Sequence, residues 1–265
     1  MKAPTTARWD MHCTSTDRAK LRSQSMHRLA DQSCMGRVCV KLLMIALPVN
    51  AAVVTVVNGS VWTSGDQASQ WAAAINRQVQ EQVGPAWNLT ATVNFANSAD
   101  PAAWVCQLYD GDPQSTTLGS HDLSAVGVPE CQVNVPAAQY FGVPVSVVLS
   151  REIVDMVVNP WLDGIVLSPF NLGPNSAVAY LRESADPVGG STYSIDGVFV
   201  SDFTFPQFWQ NAPSWGAPLD FLHRATSQLQ PAGGGFLKAR WITPFGGINS
   251  LTDWFPVGGG FCLGC

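Results

Sequence analysis

Charged side chains are scarce in this sequence, and the basic ones are unevenly distributed. Asp, Glu, Lys and Arg make up 12% of the 265 residues, about half of the usual share of roughly 25%. Residues 1–50 contain eight Lys/Arg and three Asp, whereas residues 51–265 contain six Lys/Arg and sixteen Asp/Glu, a net charge of −10. Because phosphate binding needs clustered basic side chains, this composition argues against nucleic acid as a partner.

Regularly spaced cysteines are also lacking. The seven cysteines have no regular spacing, so they do not indicate a disulfide framework. Cys106 and Cys131 would pair only if their strands were neighbours, and we favour free buried thiols. Cys262 and Cys265 have a CxxC spacing, but a single such pair does not complete a four-ligand zinc site.

The longest apolar run, residues 38–57, is interrupted by a lysine, a proline and an asparagine. These interruptions weigh against a transmembrane helix, which needs about 20 apolar residues. A signal peptide starting at Met35 is a second interpretation. We favour a third, in which Ala52–Val57 is a strand that is followed by a turn at Asn58-Gly59-Ser60.

The composition divides the sequence into three regions. Residues 1–46 form a basic leader that we expect to be disordered or not part of the fold, because it is polar and has no periodic apolar pattern. Residues 47–245 are expected to form the folded domain, and residues 246–265 a tail rich in glycine and aromatic residues. The sequence leaves the localisation open, since a secreted or particle-associated protein and a cytoplasmic one are both compatible with it.

The most informative stretch lies just before Pro160. Four polar side chains interrupt an otherwise apolar sequence there: Arg151, Glu152, Asp155 and Asn159. The spacing i, i+4, i+8 puts Arg151, Asp155 and Asn159 on one stripe of a helix. Because Pro160 is a stop signal, we predict a helix over about residues 146–159, buried on most sides, with one polar stripe facing a cleft.

This stripe has the frame of a zinc site whose first ligand is replaced. In the motif His-Glu-x-x-His, the residues at i and i+4 share a helix face and bind the metal, and the Glu at i+1 activates the metal-bound water. Here position i is Arg151, which is cationic and has no lone pair for a metal. Position i+4 is Asp155, a possible oxygen ligand. Glu152, at i+1, would be a general base only if a metal were bound.

The remaining pattern predicts one further helix and several strands. The helix covers Ser64–Val83 and ends at Gly84-Pro85. After residue 160 the sequence predicts mostly loops, with a short helix or turn at residues 180–187 and a hairpin at Tyr193–Val200, whose turn is Asp196-Gly197. Strands are expected at Leu89–Phe95, Ala103–Tyr109, residues 118–122 and Cys131–Val135.

The order of these segments resembles a family of uncharacterised zincin-like metallopeptidase-fold proteins from bacterial and phage genomes. The central motif of that family, Ser-His-Glu-x-x-Glu-Met-x-x-Asp-Pro, is matched by residues 150–160. Its Gly-Tyr-His-Asp strand is matched by residues 119–122, and its Glu-x-x-Asp-Pro segment by residues 183–187. Its Gly-Val-x-Val-Ser-Asp-Phe strand is matched by residues 197–203, and an early helix ending in Pro-x-Trp by residues 78–87.

The resemblance implies an α+β, zincin-like fold. A mixed β-sheet would pack on the motif helix, and a loop-rich C-terminal part would supply Glu183. The presumed metal ligands of the family correspond to Arg151, Asp155 and Glu183, and arginine is the departure from the pattern. Asn159 and Asp186 are expected to lie behind these positions.

We therefore interpret the chain as a degenerate, non-catalytic relative of the metallopeptidases with a binding or structural role. Arg151 would supply the positive charge of the missing metal and pair with Asp155, Glu152 or Glu183, because buried carboxylates need a cation. No cofactor is expected. A protein or peptide is a possible partner, whereas nucleic acid and a membrane span are not expected.

Two alternatives keep a metal. In the first, the protein is an active zinc-dependent peptidase or hydrolase with a rearranged ligand set of His121, Asp155 and Glu183, and Glu152 is the base. In the second, Asp155, Glu183 and Asp186 hold a hard cation through oxygen ligands.

Overall fold

A computed structural model describes residues 52–100, 103–167, 177–210, 216–242 and 248–249. These residues belong to a compact unit formed by residues 46–265. The predicted leader, the signal-peptide interpretation and most of the predicted tail lie outside the described residues. Within the described ranges, no helix has the length and apolar character needed to cross a membrane.

Five strands form the main sheet, in the order β2-β1-β3-β5-β4. They are β1 (Ala52–Asn58), β2 (Ala91–Ala96), β3 (Trp104–Tyr109), β4 (Gly119–Leu123) and β5 (Pro129–Asn134). The first four in this order run parallel, and β4 pairs antiparallel with β5 at one edge. The strands predicted for this half of the chain are confirmed, and the sheet is mixed as expected.

The early helix is longer than predicted. It begins with α1 (Gly65–Gln78), which Ser64 caps by accepting a hydrogen bond from the Gln67 N–H, and continues through a π-helical turn at Val79–Val83 into α2 (Gly84–Trp87). The prediction that Gly84-Pro85 ends the helix was therefore wrong. Proline is tolerated in the first turn of a helical segment because its missing N–H is not needed there.

The predicted central helix is confirmed as α4 (Val145–Val158), which follows the short α3 (Val135–Tyr140). All of its residues except Val158 are buried, and it contacts β4 and β5 of the main sheet. The Ser150 Oγ donates a hydrogen bond of 2.7 Å to the Gln78 Oε1 of α1. Both helices therefore pack on the same face of the sheet, and the main core lies between them and the strands.

The part after residue 160 contains more strands than predicted. A four-stranded antiparallel sheet, in the order β11-β10-β7-β6, and a separate hairpin lie there. The strands are β6 (Ile165–Leu167), β7 (Ala177–Leu181), β8 (Thr192–Ile195), β9 (Val198–Ser201), β10 (Ala239–Ile242) and β11 (Ile248–Asn249). The predicted hairpin is confirmed as β8–β9.

The loop-rich interpretation was wrong for this second sheet. Its strands have two to five residues, which is too short for a clear alternating pattern. The predicted helix or turn at residues 180–187 begins inside β7 and ends in the 3-10 turn Asp186–Val188. A second 3-10 turn, Pro206–Trp209, belongs to a smaller apolar cluster.

Cys106 and Cys131 form a disulfide bond, so the preference for free thiols was wrong. The two residues lie opposite each other on the neighbouring parallel strands β3 and β5, with their Cα atoms 4.3 Å apart and their sulfur atoms bonded. Both side chains are buried. The sequence could not reveal this pairing, because it depends on which strands become neighbours in the sheet.

We expect the double substitution of Cys106 and Cys131 by alanine to lower the free energy of unfolding by about 3 kcal/mol. The disulfide closes a loop of 25 residues, which restricts the unfolded chain. Chemical denaturation with and without a reducing agent would measure this. The variant should be insensitive to the reducing agent, and equal stability of the oxidised and reduced wild-type protein would contradict the prediction.

Candidate functional site

Seven titratable side chains from four parts of the chain meet beside the central helix. The helix α4 contributes three of them, the edge strand β4 one, the segment after β7 two, and the residue before β10 one. They are Arg151, Glu152, Asp155, His121, Glu183, Asp186 and Lys238, which we call the ionic cluster. Six of them are buried, and the Lys238 side chain retains 21% of its exposure.

Arg151 points into this cluster rather than into solvent. Its Nη2 and Nε atoms donate hydrogen bonds of 3.0 and 3.2 Å to the Glu152 Oε1, and its Nε lies 3.8 Å from the Asp186 Oδ1. Of the predicted partners, Glu152 is thus the one that Arg151 contacts, and Asp186 replaces the other two. Asp155 instead accepts a hydrogen bond of 2.6 Å from the Ala185 N–H.

Lys238 is the second cation of the cluster and was missed in the sequence. Its Nζ lies 2.6 Å from the Glu183 Oε2 and 3.3 Å from the Asp186 Oδ2. The ammonium group therefore bridges the two carboxyl groups that follow β7. The one signal in the sequence was the scarcity of basic residues, since Lys238 is one of only six Lys/Arg beyond residue 50.

The glycine-rich segment before Lys238 brings it into the cluster. The Phe236 N–H donates a hydrogen bond of 3.0 Å to the Asp186 carbonyl oxygen. A Cβ atom at Gly235 would lie 2.0 Å from the Pro187 carbonyl oxygen, so only glycine permits this close approach. The run of glycines, which the sequence suggested was a loop, therefore fixes the position of Lys238.

His121 lies on β4 opposite Cys131, on the buried side of the sheet. Its Nε2 is 3.7 Å from the Glu183 Oε1 and its Nδ1 is 3.9 Å from the Glu152 Oε2, and neither nitrogen makes a hydrogen bond within the described residues. A Cβ atom at Gly119 would lie 2.7 Å from the Glu152 Cγ, which explains how β4 approaches α4 so closely. His121 thus stands between two carboxyl groups.

Asn159 performs a different task from the one expected. Its Oδ1 accepts a hydrogen bond of 2.8 Å from the Gly164 N–H, and its Nδ2 donates one of 3.3 Å to the Gly164 carbonyl oxygen. These contacts fix the loop that leaves the end of α4. The three side chains of the predicted stripe therefore have two different roles. Arg151 and Asp155 belong to the ionic cluster, whereas Asn159 holds a loop.

Two acids of the cluster pair with its two cations. Burial opposes ionisation of Glu152, but the Arg151 guanidinium holds the pKa of that carboxyl group below its ordinary value. Burial likewise opposes ionisation of Asp186, whose pKa is lowered by Lys238 and by its interaction with Glu183. These two carboxylates thus match the two cations.

The other two acids of the cluster are shifted toward their protonated form. Burial, and then the charges of Asp186 and Glu183, raise the pKa of Asp155 well above its ordinary value. Burial also raises the pKa of Glu183 well above its ordinary value, against the opposing effect of Lys238. Burial thus favours the neutral form of these two carboxyl groups, which limits the negative charge that the buried site has to hold.

As placed, these side chains do not fit a zinc ion. Zinc needs lone pairs from three or four ligands, whereas cationic nitrogens of Arg151 and Lys238 lie against Glu152, Glu183 and Asp186 at 2.6–3.3 Å. Among the described residues, no three His, Cys, Asp or Glu side chains are grouped so as to hold a metal ion.

Comparison of the chain with protein-family models, curated proteins and solved structures gives no match.

A second buried pair of acids lies outside the ionic cluster. Asp202 and Asp220 are both inaccessible to solvent. The Asp202 Oδ1 accepts hydrogen bonds from the N–H groups of Phe203 (2.8 Å) and Leu222 (3.2 Å). Burial and the interaction with the Asp220 carboxyl group raise the pKa of Asp202 to about 8. The folded protein therefore favours the protonated form of Asp202.

Proposed function

We propose that the protein is a zincin-like protein in which an internal ion network has replaced the metal centre, and that it acts by binding rather than by hydrolysis. The observation that carries this proposal is the placement of two cations among the acids. Arg151 stands at the first ligand position of the motif and contacts Glu152 and Asp186, and Lys238 bridges Glu183 and Asp186.

The fold supports the proposal at a coarser level. A mixed five-stranded sheet packs against the motif helix, and its antiparallel edge strand β4 lies beside Glu152. This is the arrangement that the resemblance implies. The segment after β7 contributes Glu183 to the same place as α4, which the resemblance also implies.

The chemistry of the cluster favours a loss of catalysis. A general base in a zincin acts on a metal-bound water, whereas the Glu152 carboxylate is held by the guanidinium of its neighbour. Arginine remains charged at every accessible pH, and the pKa of Arg151 is raised further, since the charges of Glu152 and Asp186 outweigh burial. Glu152 therefore stays paired and is not available as a base.

The proposal predicts that zinc binding returns when both cations are removed. The variant Arg151→His with Lys238→Gln restores an imidazole at the first ligand position and frees Glu183 and Asp186. We expect it to bind about one zinc per chain, because the three presumed ligands (the new imidazole, Asp155 and Glu183) are then without a competing cation. Arg151→His alone should bind zinc more weakly, since Lys238 still contacts Glu183.

Elemental analysis after equilibration with buffered zinc would measure this, with circular dichroism as a check of folding. Arg77→His is a matched control, because Arg77 is an exposed arginine on α1 that pairs with Glu81 and Asp196. The control should bind no zinc above the level of the unmodified protein. A folded double variant that binds no zinc would count against an inherited metal site.

One observation favours the alternative of an active zinc hydrolase. The His121 Nε2 lies 3.7 Å from the Glu183 Oε1, so these two side chains could join Asp155 in the rearranged ligand set if Lys238 moved, with Glu152 as the base. The unmodified protein would then bind zinc, and His121→Gln would abolish that binding. The proposal predicts instead that His121→Gln leaves the zinc content unchanged.

A further inference from the structure

The loop that joins β1 to α1 presents two large apolar side chains to solvent. Val61 is 88% exposed and Trp62 is 61% exposed. Exposed apolar surface has an unfavourable free energy of about 25 cal/mol per Å², and a mobile loop would be able to turn such side chains inward. Some feature of the structure must therefore keep these two apolar side chains exposed.

Hydrogen bonds to one aspartate fix this loop in place. Asp110, at the end of β3, accepts a hydrogen bond of 2.5 Å from the Ser60 Oγ and one of 3.0 Å from the Val61 N–H. The Trp62 N–H donates one of 3.1 Å to the Ser60 Oγ. The backbone of Trp62 is thus held in place, and a loop that is already ordered loses less entropy when it binds a ligand.

Trp62 separates two depressions that together form one groove. The depressions have volumes of about 410 and 440 Å³, and both are lined by Trp62 and Gln139, so each lies within the range of small-ligand sites, roughly 300–1,000 Å³. Two more exposed aromatic rings line them, Phe199 in one and Tyr140 in the other. Tyr140 is 61% exposed and Phe199 is 53% exposed.

Most polar groups of the groove are neutral. Three amide side chains line it, those of Gln67, Gln70 and Gln139. Asp110 is the only charged side chain among the described residues that line either depression, and each of its oxygens already accepts a hydrogen bond from the loop. An anionic ligand would find no counter-charge here and would be repelled by the acidic body of the protein.

A peptide strand is a poorer fit for this groove than a compact ring. Peptides often bind by adding a strand to a free sheet edge, and β9 is the strand that lines the groove. Its edge is already used, because the Phe199 carbonyl oxygen accepts a hydrogen bond from the Ser146 Oγ and the Ser201 N–H donates one to the Ser150 Oγ.

We propose that the groove around Trp62 binds a neutral saccharide. The face of an aromatic ring attracts the C–H groups of a sugar ring, and amide side chains both donate and accept hydrogen bonds with hydroxyl groups. The groove offers three exposed rings and three amides without a free charge. This site is separate from the ionic cluster, and the inference does not depend on the proposed loss of the metal.

Isothermal titration calorimetry with uncharged hexasaccharides would test the inference on the full chain. The probes are the linear hexamers of glucose with β-1,4 and α-1,4 linkages and the β-1,4 hexamer of N-acetylglucosamine. We expect at least one of them to bind, and Trp62→Ala to weaken that binding about tenfold or more. Trp161→Ala is the matched control, because Trp161 is 49% exposed and packs edge-to-face against Trp104 outside the groove.

The outcomes separate the possible ligands. Binding of a hexasaccharide that Trp62→Ala weakens and Trp161→Ala leaves unchanged supports the site. No binding of any of the three hexasaccharides at 10 mM overturns the inference, as does binding that Trp62→Ala does not affect. A proline-rich decapeptide serves as a fourth probe, and binding of that peptide alone, weakened by Trp62→Ala, would assign the groove to a protein partner instead.

Discussion

Replacement of Arg151 by methionine is expected to lower the free energy of unfolding by about 3–5 kcal/mol at pH 7. Methionine retains the length of the side chain but removes the positive charge, so the carboxylates of Glu152 and Asp186 lose the cation that lies 3.0 and 3.8 Å away. A buried charge without a partner is among the most destabilising changes in a protein. Urea denaturation followed by circular dichroism would measure the change.

The double variant Arg151→Met, Glu152→Gln tests whether charge is the cause. Because it removes the carboxylate together with its partner, we expect it to recover most of the lost stability. Arg77→Met is the control for arginine replacement, and it should change stability little because Arg77 is exposed and its ion pairs are screened by solvent. If Arg151→Met were as stable as the wild type, Arg151 would not be the counter-ion of the cluster.

The effect should also depend on pH in a defined direction. Arg151 lowers the pKa of Glu152 in the folded protein, so the stabilisation from this pair is present above the ordinary pKa of 4.5 and is lost as the pH falls through the folded value. The stability difference between the wild type and Arg151→Met is therefore expected to shrink in acid. A difference that is the same at pH 3 and pH 7 would indicate lost packing rather than lost charge.

Replacement of Asp202 by asparagine is expected to stabilise the protein, increasingly so as the pH rises. The folded protein keeps the Asp202 proton up to a pKa of about 8, whereas the ordinary value is 3.8. Between these values the unfolded state has lost the proton and the folded state retains it, so wild-type stability falls with rising pH. Asparagine does not titrate and retains an oxygen that accepts from the Phe203 and Leu222 N–H groups.

The stability gap between Asp202→Asn and the wild type should therefore grow by about 1 kcal/mol per pH unit from pH 4 to pH 8. Thermal and urea unfolding across this range would measure it. Asp163→Asn is a matched control on an exposed aspartate, and its gap should stay near zero. A constant gap for Asp202→Asn would show that the Asp202–Asp220 pair does not hold a proton in the folded state.

The sequence was sufficient for the parts of the fold that depend on local patterns. The polar residues of α4 recur at helical spacing, Pro160 follows the helix, and the Asp196-Gly197 turn marks the β8–β9 hairpin, so these elements could be predicted. All five strands of the main sheet were also predicted, because turn residues mark the ends of several of them and their apolar residues alternate. The local pattern ended the early helix at Gly84-Pro85, because a π-helical turn has no pattern of its own, whereas the resemblance implied a helix that continues to residue 87.

The candidate site was only partly predictable, for a physical reason. Three of its side chains lie on one helix, and Glu183 and Asp186 were reached through the resemblance. Lys238 comes 52 residues after Asp186 in the sequence and reaches the cluster through the close approach of Gly235 to Pro187. Contacts of this kind, like the Cys106–Cys131 disulfide, are set by the tertiary structure, and no local pattern encodes them.

The zinc content of the unmodified protein tests the central claim most directly. After purification without chelators and equilibration with buffered zinc, the account predicts far less than one zinc per chain, because Arg151 and Lys238 already neutralise Glu152 and Asp186. One tightly bound zinc per chain would contradict it, and would show that the acids beside α4 still serve a metal.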